Sequence, residues 1–148
     1  MDRAREDARE GKAPSTQAGE FVREEMDHIR EGKHGARSTK QAIAIGLSKA
    51  RRAGVALPVP KNAKPATKKQ AARDTAKSKS GVKPSAKRSR AASKALKREG
   101  HAAASHAALS RQAKSAAAKR KAVPRKNAVS KKAPRKKASS KKASSKKG

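Results

Sequence analysis

Residues 15–57, STQAGEFVREEMDHIREGKHGARSTKQAIAIGLSKARRAGVAL, decide the fold, because most of the large apolar side chains lie there. The first half has a helical period. At 100° per residue, Ala18, Phe21, Val22, Met26 and Ile29 share one face, and Glu20, Arg23, Glu24, Asp27 and Glu31 the other. Ser15 and Thr16 offer an N-cap, and Gly32 suits the left-handed residue that ends such a helix. Glu25 alone falls inside the apolar arc. Its carboxylate either reaches water across a shallow interface or meets a charge partner on the next helix, for which Lys49 is the candidate.

Lys33 to Arg37 read as a short connection hinged at Gly35, and Gly32 to Gly35 lack a phosphate-loop pattern. Ser38 with Gln41 three residues on has the spacing of a capping box. From there to Ala53, Ala42, Ile43, Gly46, Leu47, Ala50 and Ala53 cover one arc, with Ile45 on its flank. Lys40, Ser48 and Arg51 lie opposite, and Arg37 points the same way. Gly46 would let two backbones approach closely, and Gly54 followed by Val55 fits a Schellman ending. Two amphipathic helices joined by about six residues predict an antiparallel hairpin over 15–57. Its apolar area is small against the entropy of ordering it, so a second copy or a ligand is expected to help hold it.

Outward from the hairpin, the sequence offers little for a core. Residues 1–14 read as a solvated, mixed-charge lead-in whose frayed helix Gly11 and Pro14 stop. Residues 58–84 read as a Pro/Lys linker in which Pro58, Pro60 and Pro65 end regular structure. Residues 85–121 are Ala/Lys-rich and helix-prone, in two parts from Ser85 to Glu99 and from Ala102 to Lys121. Leu96 and Leu109 are their only large apolar residues, so neither part is expected to build a core. Residues 122–148 are a low-complexity Lys/Ser/Ala tail, expected to be disordered. The fold class is thus a mostly disordered chain with all-α elements: a small hairpin and a basic tail with transient helices.

Charge is distributed very unevenly. Residues 61–148 hold 30 Lys and Arg against two acids, Asp74 and Glu99, a net +28, while residues 1–60 hold 12 bases against nine acids, a net +3. Such a balance predicts self-repulsion and attraction to polyanions. The chain has no Cys, so disulfides and thiolate metal sites are excluded. Its amino terminus lacks the apolar run of a secretory signal, and the longest apolar or small run, Ala42 to Leu47, falls far short of a membrane span. A soluble, cytoplasmic protein is expected.

The tail chemistry points to nucleic acid. Lysine acts as a point charge on phosphate, without the fork that reads guanine, and the tail has no aromatic residue to stack on unpaired bases. Phosphate contacts are therefore expected from Lys68, Lys69, Lys87, Arg88, Arg90, Lys94, Lys97, Arg98, Arg111, Lys114, Lys119, Arg120, Lys121, Arg125, Lys126, Lys131, Lys132, Arg135, Lys136, Lys137, Lys141, Lys142, Lys146 and Lys147. Arg37, Lys40, Arg51 and Arg52 form a secondary set. No cofactor and no catalytic group is expected. No metal site is expected either, because the spacings of His28 with His34 and of His101 with His106 put neither pair on one helical face. The reading is a non-enzymatic protein that coats duplex DNA without sequence preference, its hairpin pairing two protomers or holding a protein partner. Two rivals stand beside it: an RNA- or ribosome-associated factor, and an adaptor whose hairpin is the functional part.

Residues Phe21 to Pro58, FVREEMDHIREGKHGARSTKQAIAIGLSKARRAGVALP, resemble short bacterial proteins that carry a domain of unknown function ahead of a Lys/Ala-rich tail. The resemblance implies a bacterial cytoplasmic setting and supplies no activity. Lys131 to Gly148 are similar in composition to the carboxyl tails of linker histones and bacterial histone-like proteins. The winged-helix domain of linker histones has no counterpart here.

Overall fold

A computed structural model of the chain describes residues 2–81 and 85–122. Expectations for 82–84 and 123–148, including the bases from Arg125 to Lys147, lie outside the described residues. All regular structure among the described residues is helical. The helices are α1 (Asp2–Arg9), α2 (Pro14–Arg30), α3 (Thr39–Arg52), α4 (Pro65–Ser80), α5 (Ala86–Lys97) and α6 (His106–Ala122), with one 3-10 turn at Ala102–Ala104.

Helix α1 is not a solvated lead-in. Ala4 is buried in a cluster with Ala18, Phe21 and Ala50, and Leu47, Val55 and Leu57 pack on it. Ala4 and Asp7, one turn apart, are the buried positions of this short helix, which packs on α2. Lys12 Nζ then closes its end on Asp7 Oδ1, at 2.8 Å.

Helix α2 begins two to three residues earlier than its hydroxyls suggest. Pro14 occupies the first turn and Ala13 the N-cap, with no side-chain capping bond, so Ser15 and Thr16 lie inside the helix. Proline suits that position because its φ is preset and it has no N–H to satisfy. The other end closes as a Schellman motif. Gly32, at φ +74°, donates its N–H to Ile29 O, and Lys33 donates to His28 O.

Against α2 packs α3. Its N-cap Ser38 accepts from the Gln41 N–H at 3.3 Å, while Gln41 Oε1 accepts from the Arg37 N–H at 2.9 Å. Gly46 faces α2 so closely that a Cβ there would stand 2.7 Å from Val22 Cα. One helical turn from Val22 along α2, Glu25 is 0% exposed, and Lys49 Nζ of α3 donates to its Oε2 at 2.5 Å. The shallow, water-reaching carboxylate is therefore ruled out in favour of the cross-helix partner. Gly54, at φ +98°, and Val55 end α3 with N–H bonds to Arg51 O and Ala50 O.

The segment 58–84 is not a plain linker, because Pro65 opens a helix instead of ending one. It sits in the first turn of α4, whose Ala71 and Asp74 are buried and which packs on α3. Residues 85–121 also contribute to the core. The backbone at Gly35 and Ala36 donates to Leu96 O at 2.9 Å and Gly100 O at 3.0 Å. Thr39 Oγ1 donates to Ala103 O at 2.7 Å, and Arg30 Nε to Ala104 O at 3.1 Å. Ala103 and Ala104 thereby join Met26, Ile29, Ala36 and Ala42 in one buried cluster, with Leu109 against its edge. Gly35 is consequently a contact point and not a hinge: a Cβ there would overlap the Glu99 carbonyl.

Candidate nucleic-acid interface

The expected phosphate contacts that fall on described residues are all at the surface. Lys68 and Lys69 are exposed on α4, Lys87, Arg88, Arg90, Lys94 and Lys97 on α5, Arg98 just beyond it, and Arg111, Lys114, Lys119, Arg120 and Lys121 on α6. Long cationic side chains on helix surfaces need only keep their heads in water, so no tertiary partner is required to place them.

Of the two acids of this region, Asp74 is buried and Glu99 is paired with a base at the surface. Asp74 is 1% exposed and accepts hydrogen bonds from Ser48 Oγ, from Arg52 Nε at 2.8 Å and from Gln70 Nε2 at 3.2 Å. Burial alone would raise its carboxyl, but the hydrogen bonds from Ser48, Arg52 and Gln70, with the Arg52 charge, outweigh it. The carboxyl is held below the usual aspartate range. Glu99 is half-buried and lies 3.7 Å from Arg37 Nε. Between Lys61 and Ala122, then, negative charge is directed at protein partners and positive charge at solvent.

Of the secondary set, the structure brings two residues into this surface and draws two out of it. Arg37 and Lys40 line a groove with Arg111, Gln112 and Ser115 of α6, so cations 71 residues apart in sequence border one channel. A second, shallow cleft on α5 is lined by Arg90, Ser93, Lys94, Lys97 and Arg98. Arg52, by contrast, is committed to Asp74, and Arg51 is half-buried with an Nε that finds no hydrogen-bond acceptor among the described residues. The face of α3 carrying Ser48 and Arg52 meets α4, so it is not the open basic arc that the helical wheel suggests. The groove residues Gln112 and Ser115 had no signal in sequence. Asp74 had one: an isolated acid four residues after Gln70 in a basic segment.

The family of unknown function DUF6496 matches residues 14–62, about a third of the chain, spanning α2, α3 and the approach to α4. That range encloses the stretch from Phe21 to Pro58 and agrees with an amino-terminal domain of unknown function. No characterised protein and no solved structure matches the chain. Among the described residues, no helix is long and apolar enough to cross a membrane.

Proposed function

We propose that the protein binds nucleic acid without sequence preference, duplex DNA above all, as a histone-like component of a bacterial nucleoid. The observation that carries this reading is the sorting of charge along residues 61–122, where Asp74 is buried among protein donors, Glu99 is paired with Arg37, and thirteen expected phosphate contacts remain exposed. Each Lys or Arg that meets a phosphate releases condensed counterions, and that release drives association without reading bases. Helix surfaces bearing ammonium groups and no aromatic platform suit a regular duplex better than splayed single strands. The hairpin formed by α2 and α3 holds the basic elements together and, if it pairs protomers, lets two basic surfaces act on one duplex.

Competition binding tests the reading. Unrelated duplexes of equal length should bind within a few-fold of one another and should outcompete structured RNA at equal salt. Preference for RNA would favour a ribosome-associated role. Binding to neither, with partner capture surviving deletion of residues 61–148, would favour an adaptor.

A further inference from the structure

Glu25, His28 and His34 converge where sequence spacing keeps them apart. Glu25 and His28 lie on successive levels of α2, and the Schellman turn at Gly32 carries His34 back onto the same end of the helix. One ligand atom from each of the three lies within 4.8 Å of the other two, and the imidazoles meet edge to face with centroids 6.2 Å apart. The wheel argument against a histidine pair thus fails because His34 is not on the helix.

Two details show what the cluster is built to hold. The Gly35 carbonyl can only accept, so His34 Nδ1, at 3.2 Å, carries the proton and donates to it. In the neutral ring Nε2 then presents its lone pair, and it faces Glu25 Oε1 at 3.4 Å. Meanwhile Lys49 occupies the other carboxylate oxygen, leaving Oε1 fully buried with no hydrogen-bond donor among the described residues. Two lone pairs pointed at each other in a buried site need a cation between them, and either a proton on Nε2 or a metal ion fills that role.

We infer that Glu25 Oε1, His28 and His34 Nε2 form a binding site for a divalent transition ion of the zinc type. Metal-to-ligand distances of about 2.0–2.2 Å in a tetrahedron place neighbouring ligand atoms about 3.4 Å apart, which the Nε2 to Oε1 separation matches. A His2Glu set leaves the fourth position to water. The second shell is in place too: Gly35 O orients one imidazole, and Lys49 fixes the carboxylate. His28 also lines an open groove between α1 and α2, whose walls carry acids and bases together, so one of the three ligands borders solvent-filled space. The metal would tie the end of α2 to the 33–36 connection on which residues 96–104 dock.

Titrating the full-length chain with Co2+, and competing Zn2+ against a chromophoric chelator, tests the site. The expected result is one ion per chain, a Co2+ visible absorption of tetrahedral intensity, and a zinc-dependent rise in melting temperature. His28→Ala and His34→Ala should each weaken binding at least tenfold, while His106→Ala leaves it unchanged. His28 is half-exposed, so its variant keeps the test informative even if Glu25→Gln fails to fold. No saturable binding at one equivalent would overturn the site, as would binding that survives both histidine variants.

Discussion

Arg52 Nε of α3 stands 2.8 Å from Oδ1 of Asp74 on α4, and that one pairing joins two segments that sequence reading assigns to different parts of the protein. Ser48 and Gln70 complete the shell around the same carboxylate. Asp74→Ala should therefore loosen α4 from α3 at a cost of about 1–3 kcal/mol, the range for a buried, hydrogen-bonded polar group. Denaturant unfolding followed by circular dichroism measures the loss, and hydrogen exchange should show it concentrated in 65–80.

The same residue sets a pH dependence. Its folded carboxyl lies below the unfolded value of about 3.9, so its contribution is fully present above about pH 4 and is lost as pH falls through the folded value. The melting temperature of the wild-type chain should fall on acidification below about pH 4. Asp74→Asn should fall less steeply there, because the coupled proton uptake is gone.

Gly35 and Gly19 make a matched pair of alanine substitutions. At Gly35 the new methyl would overlap the carbonyl of Glu99, so Gly35→Ala should destabilise by about 1–3 kcal/mol and expose the amides of Gly35 and Ala36 to exchange. A Cβ on Gly19 would meet nothing within 4 Å, and Gly19→Ala in the interior of α2 should stabilise by up to about 1 kcal/mol. Chemical denaturation of the two variants reads both signs.

Substituting two of the three cations of the α3–α6 groove, Lys40→Ala with Arg111→Ala, should weaken duplex binding evenly across sequences. It should also reduce the magnitude of the salt slope by about 2. Fluorescence anisotropy on two unrelated duplexes at several salt concentrations separates this from a base-specific effect, which would weaken one duplex only.

Features set by local chemistry were readable in the sequence. The glycine endings at Gly32 and Gly54, the Ser38 cap and the close approach at Gly46 each follow from one residue type and its neighbours. Glu25 was readable as an anomaly and Lys49 as its partner. Long-range docking was not. Alanines bury little area each, so Ala71, Ala103 and Ala104 look like helix filler until Thr39, Gly35 and Asp74 are seen to meet them or their neighbours. Proline misled twice, at Pro14 and Pro65, because the same ring that ends one segment opens the next helix.

The salt dependence of full-chain binding to a duplex of arbitrary sequence tests the central claim most directly. If phosphate neutralisation by the exposed bases drives binding, log K should fall linearly with log salt at a slope steeper than about −6, with unrelated duplexes superimposable. A slope shallower than about −2, or one sequence preferred by orders of magnitude, would contradict it.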